Sequence, residues 1–287
     1  MPSLIDIRRR IRSVKSTQQI TKAMKMVSAA KLRRAQDAVL AARPYALLIR
    51  QMLASLAARL PAAEGAAHPL LERRPEQNLL LLLLTGDKGL CGAFNTNLIK
   101  ASQAFLAERA SGRVELELVG RKGRDFYRRR KIPIAGEHVN VFARVEYATA
   151  QGIAGPVMDR FMAGEVDAVY LLYNEFKTVL SQKLVVDRVL PLETPEAAAS
   201  TVEYLFEEPV EQILAGLLPR YVEVQIYHAM LESAAAEHAA RMTAMDSATT
   251  NAADMIDRLT LYLNRVRQAS ITREIIEVVS GAAAATG

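Results

Sequence analysis

The residues best suited to chemistry stand in one glycine-rich stretch, GDKGLCGAFN, at positions 86–95. It follows an apolar run and opens a segment of helical character, a setting in which free backbone amides can hold a phosphate. The spacing is not G-x-x-x-x-G-K-[ST], nor G-x-G-x-x-G with an acid ~20 residues on. The glycines therefore read as a tight strand-to-helix turn, with a nucleotide site kept as the alternative. GRKG at 120–123 is a weaker instance of the same pattern. Cys91 is the sole cysteine and has no neighbouring histidine to activate it, so it reads as a packing residue. His228 and His238 are ten residues apart with no further ligand cluster, so no metal is expected there. No Ser/His/Asp, zinc-like or paired-carboxylate set stands out. Neither a catalytic residue nor a cofactor is expected.

The elements that carry these stretches form a small α/β domain. NLLLLLLT from Asn78 is a fully apolar strand of the buried, parallel type. A helix then runs to about Ala110, VELELVG at 114–120 alternates like a strand, and GRKGRDFYRRR is a short basic helix. A helix at about 147–163 precedes strands at 166–176 and 182–192. This alternation predicts a central open sheet with Rossmann-like alternation and helices on its faces. Residues between Pro61 and Glu76, and between Pro191 and Pro209, read as connections.

Both ends of the chain carry heptad seams. In alternating steps of three and four, the first reads Leu4, Ile7, Ile11, Val14 and continues through Leu32 and Val39 to Leu60. It is polar from Gln18 to Ser28, where the apolar face is expected to move sideways to Ile20, Met24 and Val27. The second runs from Leu214 through Leu231, Met245 and Leu259 to Ser270. Pro44 predicts a local kink, Pro209 a helix start, and Pro219 a restart or kink. Each seam is apolar on one side only, so the two helices are expected to pack on each other. With a domain between them the pair is antiparallel, facing positions total about 270, and Leu32 lies near His238. The helices should be roughly 85 Å and 108 Å long, leaving the second to overhang by about 20 Å. Such a bare tip needs a socket. The expected segments are 1–60 and 209–287 as long helices, with 61–208 as the α/β domain and its connections.

Charge is unevenly distributed over a net +6. Residues 1–60 hold 13 Lys+Arg against Asp6 and Asp37, whereas residues 209–287 hold 6 Lys+Arg against 9 Asp+Glu. A basic arm facing an acidic one favours pairing and leaves positive charge for an acidic partner. A solvated basic face accounts for the same charges, and a basic coiled-coil arm that binds nucleic acid is the alternative function. One cysteine permits no intrachain disulfide and suits a reducing compartment. The start lacks a secretory core, and its apolar spacing runs on where a transit peptide would end. The longest apolar run, Leu79 to Leu84, is far below the ~20 residues that span a bilayer. A soluble chain is expected.

Three stretches carry a resemblance: IRRRIRSVKSTQQITKAMKMVSAAKLRRAQ (7–36), TGDKGLCGAFN (85–95), and ARMTAMDSATTNA with NRVRQASITREIIEVVSGA (240–252 and 264–282). They resemble, end to end and in order, the gamma subunits of bacterial F-type ATP synthases. Ala93 stands where that family usually has glycine, and Asp246 where lysine is common. With one cysteine, the redox switch of the chloroplast relatives has no counterpart. The resemblance implies a non-catalytic central shaft inside a hexamer of alpha and beta subunits, with epsilon and the membrane c ring below. Rotation of the ring would reach catalytic sites in beta, and the protein would sit peripherally on the cytoplasmic side of the inner membrane. It also implies hexamer contacts or their supports at Arg8, Arg9, Lys15, Lys22, Met24, Lys25, Arg241, Arg267, Gln268 and Thr272.

Overall fold

A computed structural model describes residues 3–57, 68–109, 112–193 and 210–286. Leu60, Pro209 and most of the two expected connections lie outside these residues. The chain divides into two compact units, one of Ser28–Arg241 and one of Met1–Val27 with Met242–Gly287. Two helices run through both: α1, Leu4–Ala57, and a long C-terminal helix, α5, Val210–Thr286. Pro44 lies inside the first, and Pro219 lies inside the second without a restart. Buried Leu218 and Val222 flank Pro219, and their packing holds the helix where one backbone donor is missing.

The larger unit is built on a five-stranded sheet. In chain order its elements are β1 (Asn78–Leu84), α2 (Phe94–Glu108), β2 (Arg113–Val119), α3 (Arg121–Tyr127), β3 (Ile134–His138), α4 (Tyr147–Met162), β4 (Ala168–Phe176) and β5 (Gln182–Leu190). Strand order is β3-β2-β1-β4-β5, with only the β4–β5 pair antiparallel. Central β1 is leucine from Leu79 to Leu84 because both its faces are covered. Leu80, Leu82 and Leu84 join Phe161 of α4, Leu53 of α1 and Met230 of α5 on one face. Leu79, Leu81 and Leu83 join Phe94 and Leu98 of α2 and Tyr127 of α3 on the other. Edge strand β3, in IPIAGEH, went unrecognised in the sequence because its proline and glycine argue against a strand.

The helix seams follow the three-four spacing. Ile7, Thr21, Ser28, Leu32, Val39, Ile49, Leu53 and Leu56 are buried on α1, and Leu214, Val224, Leu231, Ala235, Met245 and Ala252 on α5. The expected sideways shift near Gln18–Ser28 does not occur. Ile20 and Val27 are more than half exposed, whereas Thr21 and Ser28 stay buried at the seam. Small hydroxyl residues let the seam continue, because each hydroxyl can bond within its own helix. In the smaller unit the Thr21 and Thr249 hydroxyls lie 2.8 Å apart, and each also reaches a carbonyl of its own helix, Gln18 or Met245. Their numbers total 270, as the antiparallel register requires. Within the larger unit, Ala42 and His228, and Ala46 and Val224, keep that total as neighbours around one recess.

Candidate functional site

The glycine-rich turn follows β1 in an open sheet of order 3-2-1-4-5, where doubly wound proteins place ligands beyond the strand ends. Here that place is taken by α5. A Cβ on Gly86 would come within 2.9 Å of the Glu237 carboxyl carbon, so glycine is what admits the carboxylate. Arg241 pairs with Glu237 one helical turn on, and its Nε donates to the Gly89 carbonyl at 3.3 Å. At the end of β4, the Phe176 amide donates to Glu232 at 3.0 Å. Glu232, Glu237 and Arg241 are all buried. Burial pushes the Glu237 carboxyl up, against the downward pull of the Arg241 guanidinium.

The rest of the turn is held from within. The Gly86 amide donates to Asn95 Oδ1 at 2.8 Å, and the Lys122 amide to the Gly86 carbonyl at 3.1 Å. Asp87 accepts from the amides of Arg121, Asn140 and Phe142. The GRKG glycines serve close packing: Gly120 has φ +99°, and a Cβ there would lie 1.9 Å from the Thr85 carbonyl oxygen. Ala93 has φ −85°, which any residue adopts, so the turn requires no glycine there. Cys91 is buried beside Asn95, and its thiol is pushed up first by burial and then by Glu237. His238 is lowered to about 4 by burial, then by Arg241 and Lys31. Lys31 is the neighbour in sequence of Leu32, the expected partner of His238. Among the described residues, no group of three or more His, Cys, Asp or Glu is arranged to hold a metal.

The other candidate residues belong to the smaller unit. Arg8, Arg9, Lys15 and Lys22 are exposed on α1, and Met24 and Lys25 half-buried. Lys25 Nζ lies 2.6 Å from Asp246, so Asp246 forms an ion pair with the facing helix. Arg267, Gln268 and Thr272 are exposed, and the Thr272 hydroxyl donates to the Gln268 carbonyl at 3.0 Å. With facing numbers totalling 270, Leu4 stands opposite Val266, and α5 continues past it. From 271 to 282 every residue is exposed, including Ile271, Ile275, Ile276, Val278 and Val279. Arg241 differs from this group, since its side chain is turned inward to the glycine-rich turn. Sequence reasoning overlooked Glu232 and Glu237. The available signal was their place in LESAAAEHAAR, where two acids sit among residues otherwise suited to burial and Glu237 precedes Arg241 by four.

Two long antiparallel helices, with an α/β sheet whose ligand crevice is closed by one of them, define a helix-pair protein with an α/β domain between its helices. The ATP synthase family model matches residues 3–285. The ATP synthase gamma chain of Solibacter usitatus is 64% identical over 286 residues, covering 99% of this chain and 100% of the relative. That of Anaeromyxobacter sp. is 53% identical over 288 residues, covering 99% of each. Among solved structures, the Tetrahymena thermophila mitochondrial ATP synthase central stalk and c ring is matched at 27% identity with a TM-score of 0.59, over 80% of this chain and 99% of that one. A chain of the Euglena gracilis mitochondrial ATP synthase (OSCP/F1/c-ring, rotational state 3) shares the fold, at 20% identity with a TM-score of 0.67, over 98% of this chain and 94% of that one. The chain belongs to the ATP synthase family, among its gamma chains. The nucleic-acid alternative finds no support among these relatives. Among the described residues, no helix is long and apolar enough to cross a membrane.

Proposed function

We propose that this protein is the central rotor shaft of a proton-translocating F-type ATP synthase and is not itself catalytic. The c ring turns the shaft, and the asymmetric shaft drives the beta subunits of the alpha–beta hexamer through their binding states. Epsilon and the c ring attach at the α/β domain and lower shaft, so membrane association on the cytoplasmic side is indirect. The segments 1–60, 61–208 and 209–287 divide this work between helix pair and attachment domain. The observation that carries the reading is the end of α5, where five exposed Ile and Val side chains lie past the last residue of α1 that could cover them. An apolar surface of this kind marks a docking site, here the sleeve at the top of the hexamer. The crevice closed by Glu237 and Arg241 supports the non-catalytic part, because the buried carboxylate opposes a phosphate at Gly86. Calorimetry of the isolated chain with MgATP should show no stoichiometric low-micromolar site; such a site would return catalysis to Gly86–Gly92.

The hexamer contacts are Arg8, Arg9, Lys15, Lys22, Met24 and Lys25 on α1 and Arg267, Gln268 and Thr272 on α5, with Arg241 in support. Each exposed cation contributes at most about 1 kcal/mol against an acidic loop, so single substitutions should hardly affect assembly. The test is Arg8→Glu with Arg9→Glu and Lys22→Glu in membrane vesicles, reading ATP synthesis, ATP hydrolysis and proton pumping. The complex should assemble, with synthesis falling more than hydrolysis. Unchanged rates would show that this basic face is merely solvated.

A further inference from the structure

Within the larger unit, an open recess of about 490 Å³ lies between α1, α4 and α5. This is within the size range of small-molecule sites. Tyr45, Tyr147 and Tyr227 line it, and the rings of Tyr147 and Tyr227 meet edge to face with centroids 5.6 Å apart. Glu223 lines it too. Its carboxylate accepts from the Tyr147 hydroxyl at 2.5 Å and from the Gln151 amide at 3.1 Å, both neutral donors. Burial, with the Glu223 hydrogen bond and charge, pushes the Tyr147 hydroxyl up. Arg220 and His228 line the recess as well: Arg220 is exposed and its charge opposes the upward push on Tyr147, and His228 has its Nε2 3.7 Å from Glu232. Among the described residues, neither forms an ion pair with Glu223.

A carboxylate whose hydrogen-bond donors are neutral, among aromatic rings, attracts positive charge twice over: by its own charge and by the ring faces. We propose that this recess binds a small organic cation, an ammonium or guanidinium on an apolar body, with Glu223 as counter-ion and the three tyrosines as cage. Ala42, Ala46 and Val224 supply apolar lining for the body. A free small molecule is favoured over a partner's lysine or arginine because the volume far exceeds what one side-chain head fills. The inference is independent of the rotor reading, since it rests on this recess alone.

The test is titration of the full chain with benzyltrimethylammonium, followed by tyrosine fluorescence and calorimetry, with benzoate as the anionic control. Saturable millimolar or tighter binding is expected, with no binding of benzoate. Glu223→Gln keeps an acceptor for Tyr147 and should weaken binding by about tenfold or more. Tyr45→Leu alters a half-exposed ring, leaves the fold intact by circular dichroism, and should weaken it several-fold. No saturation in the folded chain, equal binding of benzoate, or full affinity in both variants would overturn the proposal. Binding to the free chain that vanishes in the assembled complex would overturn it too, by making a partner's side chain the occupant.

Discussion

Residues 229–237 and 271–282 of α5 belong to one helix, yet the first stretch is buried on every side and the second exposed on every side. Composition alone does not separate them. AMLESAAAE contains two acids and a serine, and ITREIIEVVSGA contains two acids, an arginine and a serine beside five Ile and Val. The buried stretch owes its place to size: alanine and serine let sheet and helices approach closely, and each acid finds a partner, Phe176 for Glu232 and Arg241 for Glu237. Among the described residues, the exposed stretch has no facing element in its own unit. Its apolar side chains are the surface that the proposed function gives to another chain, while the polar groups of the buried stretch bind the sheet to α5.

The contrast breaks first at Arg241. Arg241→Ala leaves Glu237 buried without its cation and should cost about 3–5 kcal/mol, whereas exposed Arg267→Ala should stay within about 0.5 kcal/mol. Urea unfolding of the full chain measures both, and equal costs would erase the difference between the two stretches. Next in size, Leu231→Ala should cost about 2–5 kcal/mol by opening a cavity, against about 0.5 kcal/mol for Ile276→Ala.

A pH effect should also be confined to the buried side. His238 is held neutral in the fold, with its value lowered to about 4 from 6.5, so the unfolded chain binds the extra proton first. Its contribution is complete above about pH 6.5 and is lost as pH falls toward 4, amounting to about 2–3 kcal/mol after allowance for partial exposure. His238→Asn should flatten that part of the stability profile; an unchanged slope would assign it to other groups. The smallest effect belongs to the exposed pair Lys25–Asp246, where Asp246→Ala should cost less than about 1 kcal/mol and less again at high salt.

Periodicity carried most of this fold. The three-four spacing fixed the buried seam on both helices and their antiparallel total of 270, and NLLLLLL gave the central strand covered on both faces. It failed where polarity was taken for exposure: Thr21 and Ser28 stay in the seam because short hydroxyls satisfy themselves within a helix. Glu232 was illegible for a related reason, since its burial depends on the Phe176 amide, a partner distant in sequence, whereas the spacing of Glu237 and Arg241 was a signal left unread. The turn at 86–95 was legible as a turn, but nothing in its own residues announced that a helix some 150 positions later would close it.

The central claim is that this chain turns as one shaft against its hexamer. The direct measurement is single-molecule rotation of the chain assembled with alpha and beta subunits fixed to a surface. The label goes on a cysteine introduced as Leu180→Cys, at an exposed position between β4 and β5, with Cys91→Ser to keep labelling unique. Addition of MgATP should produce unidirectional, stepwise rotation of the label. Steady ATP hydrolysis by complexes whose label stays still would contradict the account.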